Sequence, residues 1–359
     1  ILFMKNNTVL LHDGGYRDYM PSGPYGAYRQ DYFHNRLCVR PEKIWMGQEK
    51  GEFRYNIREA VPGQNILDFL RNAGSYRRVR TQKIDFLHLK AMDYSRTRVL
   101  DEDMGYAWDR VLVSVKDPEL FVVFDVVKAL REGYLTMANL WHTRKILSQG
   151  DHWYDTVYDR IQEEELPQTQ HLFILFPEHH FRMEGTQPEK RHYQKEVLIH
   201  QTAAQHFELG ETVGFVTLLI PHAPEVRPES WLERVRMLPV QPARAGYGVE
   251  IRIRDKILTV GVKSDLRRDM ARDWRRPRYT YAAGRLAIGD FETNGDLLFA
   301  VLQDNRLSYT ITNLTKALYE GRVLVEVPAS VFGLAFDASP DKPGRGKLRY
   351  WQEEVFLRK

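Results

Sequence analysis

A chain of 359 residues with 43% hydrophobic and 12% aromatic content can bury one large core or two packed ones. Its net charge of +4 is modest, no run of about 18 apolar residues is present to span a membrane, and one cysteine excludes a disulfide framework or thiolate metal cage. No nucleic-acid-binding motif accompanies the basic runs, so nucleic acid is not an expected partner.

The opening ILFMKNNTVLLHD has no initiator Met, no small-residue cleavage site and no signal-like apolar segment. It reads as two short strands around a Lys5-Asn6-Asn7 turn, which is how a piece of something longer would begin. Residues 12 to 36, HDGGYRDYMPSGPYGAYRQDYFHNR, then pack five tyrosines and four glycines between Asp13 and His34. RLCVR follows as a strand that buries Cys38 as an inert thiol. The basic stretch YRRVRTQK (76 to 83) precedes KIDFLHLKAM, which alternates apolar and polar residues as a half-buried strand does.

DRVLVSVKDPELFVVFDVV predicts two strands joined by a Lys116-Asp117-Pro118-Glu119 turn. FVVFDVV is apolar on both faces except at Asp125, so it belongs in the middle of a sheet, with Asp125 held by an ion pair or backbone amides. Strands follow in YLTMANLWHT, HLFILFP, VGFVTLLIP, YGVEIRIRDKILTVGVK and YTYAAGRLAIGDF. The last turns through Glu292-Thr293-Asn294-Gly295-Asp296 into LLFAVLQ, and Asn-Gly predicts a hairpin there. RLSYTIT and GRVLVEVP complete the set. Helical pattern is confined to short pieces such as ESWLERVRML (229 to 238). Asp alternates with Arg in DLRRDMARDWRRPR (265 to 278), as on a solvated, internally paired surface; a basic groove for a polyanion is the other reading.

Strands in rapid succession with Gly, Pro and Asn turns mean an all-β chain, a large antiparallel β-sandwich with few short helices. Pro224, Pro228, Pro239 and Pro242 interrupt the pattern. They divide a main sandwich over 1–240 from a smaller C-terminal β-sheet subdomain over 241–359.

Motifs for zinc peptidases, serine hydrolases, nucleotide loops and dinucleotide binding are absent. His179-His180 reads as an incidental exposed pair, and His200 and His206 are six apart, a poor spacing for one helical face. His142 after Trp141 reads as a hydrogen-bonded histidine. The opening stretch differs in kind. Asp13 ends TVLLHD, and Gly14-Gly15 lets the backbone turn sharply. His34 opens HNRLCVR, so two adjacent strands aim a carboxylate and an imidazole at one sheet end. Zinc accepts these donor types, although two ligands do not hold it tightly. Tyrosine offers an apolar face for sugar stacking and a hydroxyl for proton transfer. Arg17 and Arg29 can grip a carboxylate or sulfate with two bonds. A saccharide or anion site and an ordinary surface loop both remain open on these residues alone.

LLHDGGYRDY, GPYGAYRQDYFHNRLCV, LFVVFDVVKA, GFVTLLIPHA and GDFETNGDLLFAVL together resemble the C-terminal β-sandwich half of heparinase II/III-type polysaccharide lyases. The resemblance implies that Asp13 and His34 are metal ligands, usually for zinc, with a third histidine upstream of residue 1. It implies a partner in the same polypeptide, an N-terminal α/α toroid that supplies much of the catalytic machinery. The chain alone is then expected to be inactive, and no catalytic residue is assigned within it. The implied reaction is β-elimination at a uronic acid of an acidic polysaccharide. Tyr16, Tyr25, Tyr28 and Arg29 are the expected substrate-binding residues on the sandwich side of the cleft. The implied location is the bacterial periplasm or outside the cell. HDGGY departs from the commoner DPG form, and HNR from HNT, which leaves the substrate branch open. The rival reading is a non-catalytic β-sandwich module that binds carbohydrate or scaffolds a partner.

Overall fold

The structure is a computed structural model that describes residues 3–13, 31–41, 43–46, 53–56, 66–71, 79–177, 183–191, 194–264, 268–269, 278–279, 284–327 and 350–357. Two compact units divide the chain: Ile1–Glu211 with Phe215–Pro228, and Thr212–Gly214 with Glu229–Lys359.

The first unit opens with β1 (Phe3–Lys5), β2 (Thr8–Leu11), β3 (Leu37–Pro41), β4 (Lys43–Met46), β5 (Phe53–Asn56) and the short helix α1 (Ile66–Arg71). Next come β6 (Arg80–His88), β7 (Met92–Asp101), β8 (Tyr106–Lys116), β9 (Glu119–Ala129), β10 (Gly133–Thr143), β11 (Lys145–Gly150) and β12 (Trp153–Val157). It closes with β13 (Arg160–Ile161), β14 (Glu164–Glu165), β15 (His171–Leu175), β16 (Met183–Arg191), β17 (Gln194–Phe207) and β18 (Thr212–His222), of which Thr212–Gly214 count with the second unit. An eight-stranded sheet runs β11-β12-β15-β18-β9-β8-β7-β6, and a four-stranded sheet runs β16-β17-β10-β3.

Alternation along the strands decides what lies between the sheets. Val123, Leu172, Ile174 and Leu219 of the large sheet pack with Trp141 and Ile199 of the small one, and Phe3, Leu10 and Leu11 seal the same core. The small sheet's other face, carrying Cys38, Ala138, Leu140 and Leu198, packs under Tyr32, Phe33 and the α1 residues Leu67 and Leu70. Both faces of the small sheet are thus buried. Cys38 is a free, buried thiol whose pKa burial pushes far above the ordinary range, so it is inert.

The FVVFDVV strand is in β9, between β18 and β8, in the middle of the large sheet. Asp125 is fully buried and accepts from Trp108 Nε1 (2.8 Å), Arg110 Nε and Nη2 (both 2.8 Å), and Asn139 Nδ2 across the inter-sheet gap. A second buried carboxylate, Asp109, pairs with Arg96 and Arg98 of β7. Both carboxylates are paired with arginine, which offsets their desolvation.

In the second unit the strands are β19 (Val235–Met237), β20 (Val240–Gln241), β21 (Gly246–Ile253), β22 (Lys256–Lys263), β23 (Arg268–Asp269), β24 (Arg278–Tyr279) and β25 (Leu286–Ile288). They continue with β26 (Phe291–Thr293), β27 (Leu297–Gln303), β28 (Arg306–Thr312), β29 (Lys316–Tyr319), β30 (Arg322–Glu326) and β31 (Tyr350–Phe356). A six-stranded sheet, β19-β21-β22-β27-β28-β31, packs on a five-stranded one, β20-β25-β26-β29-β30, through Leu298, Ala300, Tyr309 and Ile311 against Leu286, Ile288, Phe291 and Ala317. Gly248 and Gly261 pair across β21 and β22, and a Cβ on either would lie 2.3 or 2.6 Å from the Ile288 side chain. The paired glycines make the notch that Ile288 fills.

Three sequence expectations change here. ESWLERVRML is not a helix: Pro228–Trp231 is a single 3-10 turn and Val235–Met237 is a strand, because a segment of ten residues is too short to hold a helix on its own propensity. Asn294-Gly295 joins β26 of one sheet to β27 of the other rather than closing a hairpin. Asn294 Oδ1 accepts from the Thr315 and Lys316 amides, so its side chain splices the crossover instead. The third change concerns the opening strands. Among the described residues β2 pairs only with β1, whereas β3 is the edge of the four-stranded sheet, so the two are not sheet neighbours.

Candidate functional site

Asp13 follows β2 by two residues, and His34 sits in the bend between a 3-10 turn (Asp31–Phe33) and β3. Although their strands belong to different sheets, His34 Nδ1 lies 2.8 Å from Asp13 Oδ1. Asn35 produces this convergence. Fully buried, it donates Nδ2 to the His12 carbonyl (3.2 Å) and accepts the His142 amide on Oδ1 (2.6 Å), while its own carbonyl accepts from Arg110 Nη1 (2.7 Å). One side chain and one carbonyl therefore tie the segment before Asp13 to β10 and β8. The pair is part-exposed, with side chains 22% (His34) and 31% (Asp13) accessible, so it can meet a ligand.

Around the pair runs a buried polar layer. Tyr158 donates to Glu196 Oε1, accepts from Gln194 Nε2 (2.5 Å), and has its hydroxyl 3.4 Å from His12 Nδ1. His142 is fully buried, with Nε2 3.0 Å from the Tyr32 carbonyl and Nδ1 3.6 Å from Glu196. It is the hydrogen-bonded histidine that the sequence suggests. Tyr32 donates to Glu189 (3.1 Å), which also takes Arg71 from α1. Burial and the neighbouring Glu189 push the Tyr32 phenol pKa far up, so Tyr32 stays a neutral donor. Asp31 is gripped by Arg40 through bonds of 2.8 and 2.6 Å. Burial alone would raise its pKa, but the Arg40 charge and hydrogen bonds prevail and hold it at about 2. Arg40 also donates to the Leu70 carbonyl, which fixes α1 over the turn that presents His34.

Without a metal, the contact holds one proton between His34 Nδ1 and Asp13 Oδ1. Nitrogen and oxygen are donor types that zinc takes at about 2.0–2.2 Å, so an ion in place of that proton would be held by His34 Nδ1 and Asp13 Oδ1. Among the described residues no third His, Cys, Asp or Glu joins this pair. The donors fit the implied metal in type and fall short in number.

Tyr16, Tyr25, Tyr28 and Arg29 lie outside the described residues, as do Gly14, Gly15, Arg17 and His179-His180. The sequence reading missed Tyr158, just after β12, and Gln194 and Glu196 of β17, all more than 120 positions along the chain from His34. It also missed a group of three possible metal ligands, Asp155, His171 and His222, whose ligand atoms lie within 4.8 Å of one another. His200 and His206 do share one element: β17 is a strand, so an even spacing puts both on one face.

No protein-family model and no curated protein matches the chain. Among solved structures it is similar to heparan sulfate lyase HepC from Pedobacter heparinus, at 12% identity and a TM-score of 0.46, over 72% of this chain and 35% of that one. A heparinase III gene product is similar at 12% identity and a TM-score of 0.43, over 71% and 34% of the two chains. Another heparinase III structure gives 11% identity and a TM-score of 0.44, over 72% and 34%. The chain spans about a third of the length of each.

Proposed function

We propose that this chain is the β-sandwich part of a polysaccharide lyase that cleaves an acidic, uronic-acid-containing glycan by β-elimination, and that it works beside a toroid domain. The observation that carries the reading is the Asp13–His34 contact of 2.8 Å, held by the buried Asn35 at the two ends of a Tyr- and Arg-rich segment. In the reaction a base takes the C5 proton, the C4–O bond breaks as the C4–C5 double bond forms, and an acid protonates the departing oxygen. Arg29 would engage the uronate with two bonds, which acidifies C5. Tyr16, Tyr25 and Tyr28 would stack on the sugar rings.

Asp13 fixes the His34 tautomer and ring plane, and the Asn35 bonds fix both backbones. Zinc bound to Asp13 and His34, completed by a ligand outside the described residues, would supply a positive charge beside the acidic glycan. An acidic polysaccharide substrate puts the working protein in the periplasm or outside the cell. Calorimetric titration with uronic-acid oligosaccharides tests the binding part. Arg29→Ala is expected to lower affinity at least tenfold for uronate oligosaccharides and to leave carboxyl-reduced analogues unaffected. Equal affinity of wild type for charged and reduced oligosaccharides would overturn the reading.

A further inference from the structure

Asp155, His171 and His222 sit on three consecutive strands of the large sheet, β12, β15 and β18. His171 and His222 are direct cross-strand partners, and Asp155 pairs with Phe173, two residues along β15 from His171. Period-two alternation therefore puts all three on one face, the face opposite the Leu172–Ile174–Leu219 core. His171 and His222 meet edge to face with ring centroids 5.5 Å apart.

The hydrogen bonds of His222 give the cluster its chemistry. His222 Nδ1 lies 2.9 Å from the Ala223 carbonyl, an acceptor only, so that nitrogen carries a proton. Its Nε2 lies 3.1 Å from Asp155 Oδ1. With Nδ1 already carrying a proton, the contact between Nε2 and the carboxylate oxygen calls for a positive charge, either a second proton on His222 or a cation held between the two atoms. The other carboxylate oxygen lies 4.0 Å from His171 Nδ1. All three side chains are largely withdrawn from water, with His222 4% and Asp155 10% accessible. The backbone carbonyl on the far nitrogen of His222 is the arrangement that orients a metal-ligating histidine.

We infer that Asp155, His171 and His222 form a zinc-class divalent-metal site, separate from the Asp13–His34 pair, that staples strands β12, β15 and β18. Two imidazoles and one carboxylate are the donor set that zinc takes with bonds of about 2.0–2.2 Å. Drawing the three ligand atoms onto one ion needs side-chain rotation of about an ångström, with the strand pairing unchanged. The exposed Glu225, close enough for its charge to act on His171, follows β18 by three residues and is a candidate fourth ligand.

The full chain, stripped with chelator and titrated with zinc chloride, tests the inference. Cobalt chloride serves as a second probe, because a low-symmetry cobalt site absorbs visibly. Wild type and His34→Ala are expected to take up one zinc at this site, raise their melting temperature and develop the cobalt bands. His171→Ala should lose at least tenfold in zinc affinity, together with the cobalt bands and the melting shift. His171→Asn, a polar replacement of similar bulk, guards against misfolding and should show the same losses with native circular dichroism. Zinc uptake and cobalt bands unchanged in both His171 variants would overturn the inference. So would a wild type with no zinc uptake, which would leave an imidazolium–carboxylate pair at His222 and Asp155.

Discussion

His200 shows how one buried side chain sets a pH dependence. It lies in β17 facing Gly185 of β16, where an added Cβ would come within 3.2 Å of its Nε2. Its Nδ1 is buried with no hydrogen-bond partner among the described residues. Desolvation lowers its pKa from 6.5 to about 4, so the folded protein keeps it neutral where the unfolded chain protonates. Between those values the unfolded state binds more protons, so stability is complete above pH 6.5 and falls as the pH drops toward 4. The whole effect is about 3 kcal/mol. Urea denaturation from pH 7 to pH 4 should show this loss in wild type, and His200→Gln should flatten that part of the curve. An unchanged slope in the variant would assign the loss to other groups. The same scale explains the Asp13–His34 site: Asn35 uses both ends of its amide to join segments that no sheet ladder connects.

Between elements, Asp125 joins β9 to its neighbour β8 through the Arg110 ion pair and joins the two sheets through Asn139. Asp125→Ala leaves the Arg110 guanidinium buried without its carboxylate, which costs about 3–5 kcal/mol. The urea midpoint should fall accordingly, and a change below about 1 kcal/mol would show that water reaches Arg110.

Asp125 was legible because a charge interrupts a run apolar on both faces, which only a central strand tolerates. The turn at Lys5-Asn6-Asn7 was legible too, and Asn6 and Asn7 take positive φ of 46° and 60°. Strands β7, β16 and β17 were not, because Met92–Asp101 and Gln194–Phe207 mix polar residues into both faces. In the folded chain those residues find partners: Arg98 meets Asp109, and Glu196 meets Tyr158. Local sequence carries no sign of such pairing. The Asn294-Gly295 misreading has the same origin, since its flanking strands look alike whether they pair with each other or with distant ones.

For the whole molecule, both units are antiparallel sandwiches, and no described helix is long and apolar enough to cross a membrane. The Asp13–His34 pair was foreseen as neighbours on one sheet, whereas the folded chain brings them together from two sheets through Asn35. The Asp155–His171–His222 cluster was invisible in sequence, because His171 and His222 are 51 positions apart and become partners only through the β15–β18 register. If this chain is the sandwich of a lyase, the pair at residues 13 and 34 belongs to the reacting cleft and the triad does not.

The most direct measurement is the rate at which the full polypeptide carrying this chain forms unsaturated uronate from acidic glycans, followed by ultraviolet absorbance. At least one sulfated or unsulfated uronic-acid glycan should be cleaved. His34→Ala should then slow turnover by roughly 10²–10⁴, the range for losing a positioned polar group at a reacting centre. Glycan binding without any unsaturated product, or turnover by His34→Ala at the wild-type rate, would contradict the account.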